Sequence, residues 1–134
     1  IGTKLDTSAD VPYLECAYKL MEYAGEPRLK KSSGKATYPG RKQVYRLTGD
    51  DLMIGDTIGR EDEPLDGSPL LTKVMEEGKR LAKPQELREL ARNTRNQLRQ
   101  LPASLCSLKG TGVYPVTISN HLLQLKKETE RRLS

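Results

Sequence analysis

A strongly basic segment, residues 28–46, is the part of the sequence best suited to bind an anion. It contains seven Lys or Arg and no acid, and serine, threonine, proline and glycine residues separate the charges. Cationic side chains, hydroxyls and glycine N–H groups can converge on phosphate oxygens. The segment therefore predicts an anion-binding loop, and the alternative is a solvated basic hairpin without a ligand.

A second candidate for anion binding is the pair Gly2-Thr3. Glycine lets a backbone approach a phosphate closely and threonine adds a hydroxyl, as in the turns at the C-terminal edge of a barrel strand. We therefore expect this pair to lie in a phosphate-binding turn. The basic segment is longer and is the more informative of the two.

Groups that could perform catalysis without outside help are scarce in this sequence. His121 is the only histidine, and we expect it to be exposed and non-catalytic in the first turn of the last helix. Residues 50–66 hold seven acids against Arg60 alone, but without the spacing of a calcium loop. The sequence therefore predicts no catalytic or metal-binding residue of its own.

Short strands are predicted to position the basic segment. Residues 16–23 mix β-forming residues with charges before Gly25, which favours a strand, and residues 28–31 are expected to be extended. The pair Pro39-Gly40 predicts a turn, and residues 43–47 predict the strand that leaves it.

The acidic region that follows, residues 48–69, predicts a loop in which only residues 52–54 and 57–58 pair briefly as strands. Residues 70–75 and 79–81 predict a hairpin around a short connection that contains Gly78. These two features complete the strand-rich half of the chain.

Two helices are predicted in the last third, on either side of a strand at residues 113–118 whose Pro115 favours a sheet edge. Residues 84–101 begin with a proline and place Leu and Ala in one arc, which predicts one buried face. Four arginines, at 88, 92, 95 and 99, form a second stripe that is either a solvated flank or a docking face. Ser119 or Asn120 is expected to cap the last helix, whose buried stripe consists of Leu122, Leu125, Thr129 and Leu133.

Composition limits the class of protein. The 134 residues suit one domain, but hydrophobic content is 35% and Phe and Trp are absent, so we expect surfaces that another domain or subunit completes. The net charge of +5 is too unevenly distributed for a uniformly basic nucleic-acid binder, and no apolar run is long enough to span a bilayer. Cys16 and Cys106 lack zinc-ligand spacing, so we expect buried or idle thiols and a reducing compartment, the cytoplasm.

A family resemblance rests on three ordered strings: IGTKL at residues 1–5, YKLMEYAGEPRLK at residues 18–30 and KKSSGKATYPGRKQVYR at residues 30–46. Together they resemble the C-terminal portion of nicotinate phosphoribosyltransferases, and the rest of the chain resembles that family's tail more loosely. The resemblance implies an α+β chain that completes an α/β barrel and a smaller α/β domain of a type II phosphoribosyltransferase. It divides the chain into a phosphate-loop end (residues 1–16), a strand-rich segment (17–82) and a helix-strand-helix segment (83–134).

The resemblance also implies an activity, which is the formation of nicotinate mononucleotide and pyrophosphate from nicotinic acid and phosphoribosyl pyrophosphate in NAD salvage. ATP hydrolysis through a phosphorylated histidine, with magnesium, drives the reaction in the family, and subunits form homodimers. By family pattern Gly2 and Thr3 hold the nucleotide 5-phosphate. Residues of the basic loop reach phosphates of phosphoribosyl pyrophosphate or ATP, and these are Lys30, Ser32, Lys35 and Thr37.

The histidine that is phosphorylated in the family has no counterpart in this sequence, because His121 does not lie in the family's histidine motif. We therefore expect the chain to be a C-terminal portion of such an enzyme, inactive alone and binding no cofactor by itself. Two alternatives remain at this stage. One is a basic module that binds RNA or DNA, and the other is a structural or dimerisation domain without a residue at the active site.

Overall fold

A long β-hairpin forms the centre of the computed structural model, which describes residues 19–31, 36–107 and 112–133. Strands β3 (Lys42–Gly49) and β4 (Leu52–Arg60) run antiparallel, with a register shift between Leu47 and Thr48. The turn between them places Asp50 and Asp51 at φ values of 50° and 61°. Positive φ at both central residues is typical of the turn that matches the twist of a two-residue hairpin.

Two short strands extend this hairpin into a four-stranded sheet with the order β5-β3-β4-β8. Strand β5 (Ser68–Pro69) is antiparallel to β3, whereas β8 (Val116–Ile118) is parallel to β4. The strand predicted at residues 113–118 is shorter in the structure, because it begins after Pro115, but its predicted edge position is confirmed. The carbonyl of Pro115 accepts the N–H of Asp56 at 3.0 Å, so the proline lies where no donor is required of it.

Strand β4 is continuous, so the prediction of a loop with two brief strands was wrong. Its glycines weaken the apolar alternation, but the structure needs them. A Cβ on Gly59 would lie 2.8 Å from Glu63 Oε2, and one on Gly55 would lie 3.3 Å from the carbonyl of Pro115. Both glycines therefore allow neighbouring groups to approach the strand closely.

Two tight hairpins lie outside the sheet. Strands β1 (Glu22–Tyr23) and β2 (Glu26–Pro27) pair around Ala24 and Gly25, whose φ values are 51° and 76°. Strands β6 (Met75–Glu76) and β7 (Lys79–Arg80) form the predicted hairpin in a shorter version.

The strand predicted at residues 16–23, before the first of these hairpins, was too long. Residues 19–21 are not strand, and residues 16–18 lie outside the described residues. The chain reverses at the Ala24-Gly25 turn, where the predicted strand was expected to end. Two residues on each side of this turn are paired.

Helix α1 (Leu87–Arg99) confirms a predicted helix but not its predicted burial. None of its residues is buried, and Leu87 is 82% exposed. The amphipathic pattern is present, but its leucines stay largely exposed, with Leu90 at 43% and Leu98 at 55%. A short helix, α2 (Ala103–Cys106), follows, and it ends on Cys106, which is free and exposed rather than buried; Cys16 lies outside the described residues.

Helix α3 (Asn120–Arg132) supplies much of the core. Ser119 caps it as predicted, because its Oγ accepts the N–H of Leu122 at 3.1 Å. Leu122 is fully buried and Thr129 is 2% exposed, which confirms two of the four members of the predicted stripe, whereas Leu125 is half-buried and Leu133 is 50% exposed. The predicted α+β class is confirmed, and no helix in the described part of the chain is long and apolar enough to cross a membrane.

Candidate anion-binding site

The basic loop is held closed at its base by two exchanged hydrogen bonds. The N–H of Lys30 donates to Thr37 Oγ1 at 3.0 Å, and the N–H of Thr37 donates to the carbonyl of Lys30 at 3.3 Å. The structure thus brings two of the predicted phosphate-binding residues together. The side chain of Lys30 remains exposed, so its ammonium is accessible to an anion in solvent.

A second pair of hydrogen bonds joins the residues on the two sides of the basic loop. The carbonyl of Met21 accepts the N–H groups of both Arg28 and Gly40, each at 2.8 Å, so residues before and after the loop share one acceptor. Gly40 has a φ of 75°, and a Cβ at this position would lie 3.1 Å from Leu125 of α3. Glycine is therefore required at residue 40, where the chain leaves the basic loop and turns beside α3.

The other predicted phosphate-binding residues, Gly2, Thr3, Ser32 and Lys35, lie outside the described residues. Their roles remain predictions that rest on the family resemblance. Lys30 and Thr37 are the two members of the predicted set whose positions the structure gives.

A polar cleft of about 360 Å³ lies beside the base of this loop, between the β1–β2 turn and the end of β4. Its arginines are already paired with carboxylates. Arg41 Nε donates to Glu22 at 2.8 Å, and Arg60 Nη2 lies 2.8 Å from an oxygen of Asp62. The cleft is therefore close to charge balance, which makes the loop the better place for an anion.

Sequence reasoning missed a charged cluster on the central hairpin. Arg46 Nε and Nη2 donate to the two oxygens of Asp56 at 2.9 and 2.8 Å, and the hydroxyl of Tyr114 donates to the same carboxylate at 2.8 Å. The hydrogen bond from Arg46 lowers the pKa of Asp56, burial opposes this effect, and the Tyr114 hydroxyl adds to the lowering. The ion pair is bidentate and mostly shielded from water.

The sequence signal for this cluster lies in the strand register. Arg46 and Asp56 are direct cross-strand partners because the turn lies at Asp50-Asp51 and the register then shifts by one residue between Leu47 and Thr48. The cluster forms one end of a cavity of about 300 Å³ whose other walls include Met53, Leu98 and Leu105.

Replacing Tyr114 by Phe is expected to lower the free energy of unfolding by about 1 kcal/mol, because one hydrogen bond to a buried carboxylate is lost. Chemical denaturation measures the change, and Tyr23→Phe is the matched control because Tyr23 is 65% exposed. Burial, and then the bond to Asp56, raise the pKa of Tyr114. An alkaline absorbance titration of Tyr114→Phe should therefore lose a tyrosine whose pKa lies above the ordinary value of 10.0. Equal stabilities of the two variants would contradict this prediction.

A second network joins the end of β4 to the start of α3. Glu63 is 8% exposed; its Oε2 accepts the Ser119 hydroxyl at 2.6 Å and the N–H of Arg60 at 3.1 Å, and its Oε1 lies 3.0 Å from His121 Nδ1. Burial raises the pKa of the carboxyl, but the hydrogen bonds and His121 outweigh it, so the pKa lies below its usual 4.5. His121 itself is 70% exposed, as predicted.

The side chains that could bind a metal ion are dispersed in the described part of the chain. The residues described contain no group of three or more His, Cys, Asp and Glu side chains that could hold a metal ion.

Comparison with known proteins places the chain. The family model described as nicotinate phosphoribosyltransferase C-terminal domain matches residues 63–126, a range that contains both ends of the Glu63 network. A nicotinate phosphoribosyltransferase of Mycobacterium tuberculosis is 43% identical over 125 residues, which are 92% of this chain and 27% of that protein. The enzyme of the same name from Dictyostelium discoideum is 43% identical over 82 residues, 55% of this chain and 13% of that one.

A solved structure shares the fold. The crystal structure of human nicotinic acid phosphoribosyltransferase superimposes with a TM-score of 0.73 at 24% identity, over 84% of this chain and 26% of that one. The chain thus spans roughly a quarter of the length of the M. tuberculosis relative and of the human structure. The family model, the sequence relatives and the shared fold agree, and the chain belongs to the nicotinate phosphoribosyltransferase family, as a C-terminal portion of it.

Proposed function

We propose that this chain is part of an enzyme that joins nicotinic acid to phosphoribosyl pyrophosphate, forming nicotinate mononucleotide and pyrophosphate in NAD salvage. The observation that supports this proposal best is the 43% identity to the M. tuberculosis nicotinate phosphoribosyltransferase across 92% of the chain. The chain corresponds to 27% of that relative, so we propose that it contributes to the active site and is inactive alone.

The activity is tested with the complete protein that contains this chain. Nicotinate, phosphoribosyl pyrophosphate, ATP and magnesium are supplied, and nicotinate mononucleotide is measured by chromatography. We expect product that depends on both nicotinate and phosphoribosyl pyrophosphate, and no product from the 134-residue chain alone. A complete protein that forms no nicotinate mononucleotide would refute the proposed activity, and turnover by the short chain would refute its dependence on other segments.

ATP coupling, magnesium and a cytoplasmic homodimer are further parts of this proposal. They rest on the resemblance to the family, and the exposed leucines of α1 add an apolar surface that a second subunit would cover. Light scattering of the complete protein measures the oligomeric state. Stoichiometric release of ADP per nicotinate mononucleotide formed would support the coupling, and product formation at the same rate without ATP would oppose it.

Within this enzyme, we propose that the basic loop binds a phosphate of phosphoribosyl pyrophosphate or ATP through Lys30, Ser32, Lys35 and Thr37, and that Gly2 and Thr3 hold the 5-phosphate. The contact between the backbone N–H of Lys30 and the Thr37 hydroxyl, together with the exposure of Lys30, supports the first part. Cations near a departing pyrophosphate stabilise charge as it develops, which is a major source of catalysis in such transfers.

Replacing Lys35 by Ala in the complete enzyme is expected to raise the KM for a phosphorylated substrate or to lower kcat. The combined loss in kcat/KM should be about 10²-fold, because a preorganised cation is removed from a developing charge. Lys83→Ala is the matched control, since it removes the same charge from an exposed position of the connection before α1. Unchanged kinetics in Lys35→Ala would return this loop to a solvated basic hairpin.

A further inference from the structure

The ammonium of Lys42 contacts the backbone of the basic segment. It is the first residue of β3, and its side chain turns back onto the preceding turn. Its Nζ donates to the carbonyls of Tyr38 at 2.8 Å and Gly40 at 2.6 Å. Burial lowers its pKa, and the nearby carboxylate of Glu22 opposes that effect.

The turn that Lys42 contacts, residues 38–40, is held by several contacts and directly follows the basic loop. Pro39 is fully buried, and the N–H of Gly40 is held by the carbonyl of Met21. The ring of Tyr38 lies under the Lys126 ammonium of α3, 5.0 Å from ring centroid to nitrogen. Residue 37, which closes the base of the loop on Lys30, immediately precedes this turn.

These contacts divide the cations of the segment by role. Lys30 is exposed to solvent, whereas the ammonium of Lys42 donates two hydrogen bonds to the backbone carbonyls of Tyr38 and Gly40. An ammonium engaged in this way fixes the backbone that surrounds it. Fixing a loop before its ligand arrives reduces the entropy that binding must overcome.

We propose that Lys42 is a positioning residue for the phosphate site: it fixes the turn at residues 38–40 so that Lys30 and Thr37 are held together before the anion binds. This inference rests on the proposed phosphate-binding role of the loop. It assigns to Lys42 no contact with the phosphate. The role of the side chain is to order a backbone, and its loss should be visible in that backbone.

The test uses the complete protein that contains this chain, inorganic pyrophosphate as the probe, and three variants. Lys42→Met removes the ammonium and keeps the stem, Lys30→Met removes the proposed contact, and Lys83→Met is the charge-matched control. Amide hydrogen exchange by NMR reports order at Thr37 and Gly40, and the amide of Leu122 in α3 reports the fold. Titration by NMR or calorimetry gives the dissociation constant of pyrophosphate.

We expect Lys42→Met to accelerate exchange at Thr37 and Gly40, to leave Leu122 protected, and to weaken pyrophosphate binding by roughly threefold to tenfold, as for one or two lost hydrogen bonds. Lys30→Met should weaken binding without accelerating exchange at Gly40, which a purely structural role for both lysines would not produce. Lys83→Met should change neither quantity.

Three results would overturn the inference. One is faster exchange at Gly40 in Lys42→Met with unchanged pyrophosphate affinity, and another is an affinity loss equal to that of Lys83→Met. The third is an unaltered protein that binds no pyrophosphate, which removes the phosphate site itself. The nicotinate mononucleotide assay decides the proposed activity separately, so that failure is distinguishable from these.

A fourth variant covers the case in which Lys42→Met also loses protection at Leu122. Lys42→Arg then replaces it, because a guanidinium keeps two donors for the carbonyls of the turn. Protection at Gly40 together with unaltered pyrophosphate affinity supports the positioning role. Protection at Gly40 with weakened affinity overturns it.

Discussion

Replacing Leu122 by Ala is expected to lower the free energy of unfolding by about 3 kcal/mol, because the truncation opens a cavity in the small core between α3 and the sheet. Leu122 has no exposed surface. The neighbouring Leu123 provides a matched control, since it lies on the same helix and is 37% exposed. Both substitutions change helix propensity equally, so the difference between them isolates burial.

Urea denaturation followed by far-ultraviolet circular dichroism measures both variants of this pair. Leu123→Ala should cost about 1 kcal/mol or less, as is usual for a substitution near the surface. Similar losses in the two variants would mean that α3 is not packed on β4 as the structure has it.

Glu63→Ala is expected to destabilise the chain by about 3 kcal/mol, because the Ser119 hydroxyl and the N–H of Arg60 lose a buried carboxylate acceptor. Glu63→Gln should cost less, since its amide oxygen still accepts a hydrogen bond. Thermal or urea unfolding at neutral pH measures both. Glu61→Gln is the control, because the side chain of Glu61 is 61% exposed.

The pKa of Glu63 gives the same prediction a pH dependence. The pKa of this carboxyl is lowered in the folded chain, so its contribution to stability is complete above the ordinary value of 4.5 and is lost as the pH falls through the folded-state pKa. The acid limb of the stability profile below pH 4.5 should therefore be shallower in Glu63→Gln than in the unaltered chain or in Glu61→Gln. Parallel acid limbs would show that Glu63 titrates as it does in the unfolded chain.

Helix α3 illustrates what local sequence can determine. Its capping serine, its start and the two most buried residues of its stripe are all predicted correctly, since each depends on neighbours within one or two turns. Helix α1 carries an equally regular pattern, yet its leucines are exposed. Periodicity identifies the face that can be buried, but the element that covers it is a property of the whole fold.

The β3–β4 hairpin could not be predicted, because the residues that its turn and its second strand require are not typical of a hairpin. Two aspartates with positive φ form its turn, where Asn-Gly or Asp-Gly would have been the stronger signal, and the glycines of β4 interrupt the apolar alternation. Because neither the turn nor the register shift between Leu47 and Thr48 was recognised, Arg46 could not be paired with Asp56. Glu63 could not be paired with Ser119, because the two residues lie far apart in the sequence. Those pairs depend on register and on contacts between distant segments, which residue type alone does not give.

The phosphate-binding roles of Lys30 and Thr37 stay a prediction. Lys30 and Thr37 were selected by residue type and by family resemblance, and the structure places them in direct hydrogen-bond contact. The distinct role inferred for Lys42 could not come from the sequence, in which it is one of seven equivalent cations. It follows from the direction of one side chain toward two carbonyl groups.

The parallel pairing of β8 with β4 has a consequence for synthesis of the chain on the ribosome. The β3–β4 hairpin can close as soon as it emerges, but Asp56, Thr57 and Ile58 wait for Val116, Thr117 and Ile118, which are translated much later. During that interval one edge of β4 presents unpaired backbone groups, a template for association with other nascent chains. A premature stop before residue 116 would make this exposed edge permanent, and such a truncated product should be a substrate for chaperones and proteases.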